Sequence, residues 1–163
     1  MTPERPHEGP HAHPMAPYAR FGAMIATSTL AMLALTYLNT YALDHVFWSE
    51  TRAYMALIMG SAMAVIMLLY MLHMHRSWKA NAAIFIGSAI VFAAALYLVR
   101  SQTTVQDVSY MKAMIPHHSI AILTSERAEI SDPRVRELAD GIIETQKREI
   151  AEMKALIAEL EGD

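Results

Sequence analysis

Two thioethers and two imidazoles fall within eight consecutive residues, Met111-Lys112-Ala113-Met114-Ile115-Pro116-His117-His118. The pattern around them predicts a helix. At about 100° per residue, Asp107, Met111, Met114 and His118 share an arc of roughly 60°, with His117 on the flank about 60° from Met114. Two methionines and a histidine beneath a carboxylate make an unusual core stripe. Thioether with imidazole is instead the donor set that suits Cu(I), with Ag(I) as its mimic. A second predicted helix carries complementary groups, because Gln146, Glu149 and Met153 project within about 60° of one another. They share the face of Ile142 and Ile157, where a buried Gln and Glu need partners. Facing the first helix, they meet Met111, Met114 and His118. A carboxylate that holds a ligating imidazole in one tautomer is a recurring device. The candidate ligands are Met111, Met114, His117, His118 and Met153, with Asp107, Gln146 and Glu149 orienting them or serving as hard ligands. Singly, each has a plainer reading: core for Met153, a solvated edge for Glu149, surface for a His-His pair.

The elements that position these residues differ sharply along the 163-residue chain, which is 54% hydrophobic, with 13 methionines and no cysteine. Residues 21–43, 53–75 and 80–99 lack Asp, Glu, Lys and Arg, and each run is about the 20 residues a helix needs to cross a bilayer. Tyr18, Phe21, Tyr41, Phe47, Trp48, Tyr54, Trp78 and Tyr97 sit near their ends, where interfacial aromatics belong. The first run is too long for a signal-peptide core and no small-x-small site follows it, so it reads as retained. Arg5, Arg20, Arg76 and Lys79 fall on one side, and Arg52, Arg100 and Lys112 on the other. The short basic loop 76–79 then predicts a cytoplasmic N-terminus and an external C-terminal segment. Absence of cysteine is compatible with an oxidising exterior.

Residues 1–19 hold five of the seven prolines with His7, His11 and His13; they predict a disordered tail with some capacity for adventitious metal. In the second apolar run Met55, Met59, Met63, Met67 and Met71 recur every four residues before His75. Such steps advance about 40° beyond a full turn, so the sulfurs spiral and read as core or lipid contacts. Ala56, Gly60 and Ala64 form a small-x3-small row and Ala83 with Gly87 begins another, both predicting close helix contacts. From Thr104 onward the chain carries 7 Lys and Arg against 12 Asp and Glu, a net charge of −5. Two water-soluble helices are predicted there. The first runs from about Thr104 to Glu129, kinked at Pro116, whose missing N–H leaves the Lys112 carbonyl unpaired. Asp132 as N-cap and Pro133 at the first helical position open the second. It runs to about Leu160 with Val135, Leu138, Ile142, Ile143, Ile150, Met153, Ile157 and Leu160 on one face.

The stretch Tyr110–His118, followed by Ala121, Asp132-Pro133, Ala139, Ile142-Ile143, Gln146, Glu149-Ile150 and Met153, resembles the family called domain of unknown function 305. The likeness covers about Gln106 to Leu160. It implies a ferritin-like helical bundle, and some members are periplasmic copper-binding or copper-tolerance proteins. By position the implied metal residues are Met111, Met114, His117, His118 and Met153. This chain departs from longer members in carrying one motif copy behind three membrane helices.

The expected fold is all-α: a tail over 1–19, a three-helix membrane region over 20–100, and a soluble two-helix ferritin-like hairpin over 104–161. A lone hairpin of this size buries too little apolar surface, so a dimer completing a four-helix bundle is expected, with packing against the membrane segment as the alternative. The expected function is non-catalytic: capture or buffering of Cu(I) on the periplasmic side of a bacterial plasma membrane, for homeostasis or tolerance. Membrane lipid, a metal ion and a second copy are the expected partners, without nucleic acid. A ferritin-like di-metal enzyme needs Glu-x-x-His on bundle helices, and that spacing occurs only in the Pro-rich tail. A small transporter subunit is the third reading, disfavoured by apolar helices without Asp, Glu, Lys or Arg.

Overall fold

The computed structural model describes residues 16–162, which form five α-helices and no strand. They are α1 (Ala16–Leu35), α2 (Glu50–Met71), α3 (Trp78–Ser101), α4 (Asp107–Arg127) and α5 (Pro133–Glu161), with a 3-10 turn at Leu43–His45. Helices α1, α2 and α3 are long and apolar enough to cross a membrane. The expectations for His7, His11 and His13 lie outside the described residues. Of the tail expected over 1–19, residues 1–15 lie outside the described residues, and residues 16–19 belong to α1.

Both α1 and α3 pack on α2, whose buried residues are Ala56, Gly60, Ser61, Ala64 and Leu68. Small side chains let backbones approach where apolar surroundings give no hydrophobic reason to associate. A Cβ on Gly60 would collide with the Thr29 side chain of α1. The row Ala83–Gly87 behaves differently from its expectation. A Cβ on Gly87 would meet nothing within 4 Å, and Ala83 and Gly87 line an apolar groove of about 850 Å³ between α1 and α3. Met55 and Met59 are exposed and Met63, Met67 and Met71 half-buried, as their spiral spacing implies.

Ser49 and Ser77 cap α2 and α3, accepting hydrogen bonds from the amides of Arg52 and Ala80. The largest departure from the sequence expectation is at the end of α1, which stops at Leu35 rather than near residue 43. The Thr36 hydroxyl turns back to the Leu33 carbonyl at 2.6 Å. The Arg52 guanidinium donates to the Thr36 carbonyl while lying over the Tyr37 ring, 4.5 Å from its centroid. A cation on the last carbonyls satisfies acceptors that have no partner inside the helix. Residues 36–49 thus leave the helix as a loop and run against α4. At the other end of α2 the helix closes at Met71, and His75 folds in beneath Tyr18 and Phe21, with ring centroids 4.8 and 5.5 Å away.

Helices α4 and α5 form the hairpin. Asp132 accepts from the Arg134 amide and Gly162 closes α5 in the left-handed conformation at φ 79°. Pro116 is buried within α4, which continues through it; the helix is unbroken. The core between the two is Met111, Ile115, Ile122, Ile150 and Ile157, with Phe47 of the loop packed against it.

Candidate functional site

One cleft of about 630 Å³ between α4 and α5 is lined by Met111, Met114, His118, Glu149 and Met153, with Asp107 at its edge. The arcs read from the sequence therefore meet across the hairpin. His118 is the centre of this arrangement. Its Nε2 lies 2.8 Å from Glu149 Oε2, and its side chain is only 12% exposed. Gln146 donates to the same carboxylate oxygen at 3.5 Å. With the Nε2 hydrogen given to Glu149, Nδ1 carries a lone pair, and that atom is out of water with no hydrogen-bond partner. An imidazole fixed by a carboxylate on one nitrogen and left as a lone pair on the other is in the form a metal ligand takes. A buried polar atom without a partner is costly.

His117 does not join the cleft. Its side chain is exposed and its ring centroid is 6.3 Å from that of His118, as expected from its position on the flank of the stripe. Met111 is buried in the hairpin core as well as lining the cleft. Among the described residues no three His, Asp or Glu side chains are grouped closely enough to hold a metal together. A metal in this cleft would have to use the methionine sulfurs.

The sequence reading missed two sets of residues. Tyr110, Glu152 and Leu156 also line the cleft; Tyr110 lies within about 40° of Met114 on the helix, so the arc used for the methionines could have included it. The second set, in the loop before α2, has no local signal. Ser119, fully buried, accepts from the Tyr41 amide at 2.6 Å and lies 3.0 Å from His45 Nδ1. Asp44 pairs with Lys154 at 2.6 Å, and the Lys147 ammonium lies 5.7 Å from the Tyr41 ring centre. The anchors adjoin the site in sequence: Ser119 follows His118, Lys154 follows Met153, and Lys147 follows Gln146, which bonds to Glu149. The hairpin's rear is thus held by the loop between α1 and α2. Although Ser119, His45 and Asp44 form a serine–histidine–aspartate series, the Ser119 hydroxyl has no exposed surface, and the three act as a latch. Burial pushes the His45 pKa down, and the nearby Lys154 charge adds to this. The hydrogen bond from Lys154 holds Asp44 below the usual carboxylate range.

A membrane-length helical trio joined to a hairpin with a methionine–histidine cleft defines the class to which the chain is compared. Residues 95–162 match the family described as Domain of unknown function (DUF305), and the chain belongs to that family. It is also similar to "Uncharacterized protein L153" of Acanthamoeba polyphaga mimivirus, 32% identical over 144 residues, spanning 84% of this chain and 93% of the relative. An alignment of that length extends beyond the hairpin into the apolar helices. No solved structure matches the chain.

Proposed function

We propose that this protein is a membrane-anchored binder of Cu(I), or of Ag(I) in its place, that holds the ion in the α4–α5 cleft on the outer side of a bacterial plasma membrane. Its role in this reading is capture or buffering for copper homeostasis, without catalysis. The observation that carries the reading is one cleft lined by Met111, Met114, Met153 and His118, the last with Glu149 on Nε2 and a buried, unpartnered Nδ1. Uncharged sulfur donors hold soft monovalent ions and gain little from Zn²⁺ or Mg²⁺. The placement outside the cytoplasm rests on the basic loop 76–79, which lies at the opposite end of α2 from the hairpin. A bundle of the ferritin-like type is the fold this reading expects. A di-metal enzyme would draw on grouped carboxylates and histidines, whereas three methionine sulfurs line this cleft beside the single imidazole of His118.

The test is competition between the purified full-length chain and a Cu(I) chelator of known affinity. One Cu(I) per chain is expected, weakened at least tenfold by Met114→Leu with His118→Ala. Glu149→Gln should weaken it by about 10- to 100-fold, because the carboxylate that sets the His118 tautomer is gone. Tighter binding of Zn²⁺ than Cu(I), or indifference to the double change, would overturn the proposal. A second test fuses alkaline phosphatase after Asp163: activity in intact cells is expected, and an inactive fusion beside a fluorescent cytoplasmic reporter would reverse the topology.

A further inference from the structure

Helix α5 carries two apolar stripes, and only one is covered. Ala139, Ile150 and Ile157 are buried toward α4. Leu138, Ile142, Leu156 and Leu160, about 90° away around the helix, are 64%, 37%, 42% and 59% exposed. On α4, Ile115 and Ile122 are buried, whereas Tyr110 at 54% exposure and the half-buried Met114 lie about 100° from them. The two outer stripes adjoin, so the hairpin presents one open face with the methionine–histidine cleft at its middle. In a four-helix bundle each helix packs two neighbours about 90° apart; here α4 and α5 have only each other along their full length, α4 meeting otherwise the end of α2 and the loop before it.

We infer that a second copy of the chain docks on this open face, and that the Met114–His118–Met153 cleft is completed only in the pair. The second half of this inference rests on the Cu(I) reading; the first half does not. Lipid is a poor cover, because Thr145, Gln146, Glu149 and Glu152 lie among the apolar residues and acyl chains offer polar groups no partner. The face is about 30 Å long over the 21 residues of α4 and about 20 Å wide, an area of roughly 600 Å² before side-chain relief. That approaches the roughly 800 Å² per partner of a standard interface. A second copy also matches in level. Two chains crossing one bilayer in the same sense are related by a two-fold axis along the membrane normal. Every residue then stands at the height of its mate, and the two His118–Glu149 pairs coincide. His117, on the outward rim of α4, joins the site across that axis.

The experiment uses the full-length chain in lipid nanodiscs, free of metal. Because the chain has no cysteine, Ile142→Cys and Leu156→Cys each provide one thiol on the face, and Glu144→Cys provides one on the outer side of α5. A short bismaleimide should give covalent dimers from the face variants, either between identical positions or crossed in a mixture of the two. Their yield should be at least tenfold above that from Glu144→Cys. Equal yields from helical, folded protein would overturn the pairing, as would quenching of a bimane label at the face thiols by nitroxide lipids. Ile142→Glu, on the face but outside the cleft lining, should then leave monomers whose Cu(I) affinity is at least tenfold lower; undiminished affinity in those monomers would overturn the shared site. If the unsubstituted chain binds no Cu(I), the proposed function fails while the cross-links still decide the pairing.

Discussion

The α1–α2 contact and the α4–α5 contact are both helix pairs, yet they are built from opposite materials. Gly60 brings α2 against Thr29 of α1 in the first, on a helix whose other buried residues are mostly small: Ala56, Ser61 and Ala64, with Leu68. Met111, Ile115, Ile122, Ile150 and Ile157 make the second. In apolar surroundings leucine gains nothing by facing another helix, so close backbone approach is what holds. In water each buried Ile or Leu contributes about 1.5–3 kcal/mol, so bulk is what holds. Chemistry accumulates in the second region because the hairpin's core covers only one side of each helix. The other side is free to carry sulfur, imidazole and carboxylate.

The sharpest way to break this contrast is to exchange the materials. Gly60→Val is expected to push α1 off α2, at a cost of about 1–3 kcal/mol, since overfilled contacts relax poorly. Gly87→Ala is its control: the position is open, and the change should be neutral or stabilising by up to about 1 kcal/mol through helix propensity. Unfolding of the full-length chain in mixed micelles, followed by helical circular dichroism, measures both. Equal losses would show that Gly60 is not a contact glycine.

The link between the two regions is tested next. Ser119→Ala removes the acceptor of the Tyr41 amide and the partner of His45. A buried donor left unpaired costs about 1–3 kcal/mol. Residues 36–49 should become cleavable by protease at lower protease concentration, while the α4–α5 core remains helical. Unchanged cleavage would show that the loop is held by its other anchors, Phe47 in the core and Asp44 on Lys154.

These two experiments fall on opposite sides of what the residues disclose. The hairpin was legible because its determinants are local: Asp132-Pro133 opens α5, and the spacing of Met114, His118, Glu149 and Met153 converts directly into arcs that face each other. The small row at Ala56, Gly60 and Ala64 was legible for the same reason. The end of α1 was not. An uncharged run records composition, whereas residues 36–43 leave the helix because Tyr41 and His45 have partners on Ser119, 78 and 74 residues further on. Likewise Gly87 has the spacing of a contact residue and no neighbour, because spacing does not specify which helix arrives. His117, counted among the ligands by its place in the Met-Ile-Pro-His-His motif, is exposed and outside the cleft lining, on the flank where the helical turn puts it.

A smaller effect separates hairpin folding from site assembly. Asp132→Ala removes the side-chain acceptor at the start of α5 and should cost about 1 kcal/mol. Hydrogen exchange should quicken in the first turn of α5. Cu(I) affinity should hold, because the cleft residues on α5 begin more than three turns further along. A loss of affinity matching that of His118→Ala would mean that the cleft has no rigidity of its own.

The smallest expected effect is a pH dependence of the loop latch. Ser119 Oγ accepts from the Tyr41 amide, so its own hydrogen is available to His45 Nδ1, which must then be a lone pair. Protonation of His45 would place a second hydrogen in that bond and a cation near Lys154, in a site where burial already lowers its pKa. A folded pKa below the unfolded reference of 6.5 means that the unfolded loop binds the proton first. The contribution is therefore fully present above about pH 6.5 and falls as the pH drops from there toward the folded value. Asp44 does not disturb this window, because it is held below its usual 3.8 and stays ionised throughout. Protease cleavage within residues 36–49 should rise between pH 7.5 and pH 5. In His45→Gln, which retains an acceptor for the Ser119 hydroxyl and cannot titrate, that rise should flatten. The same slope in both proteins would place the pH sensitivity elsewhere than at the junction of loop and hairpin.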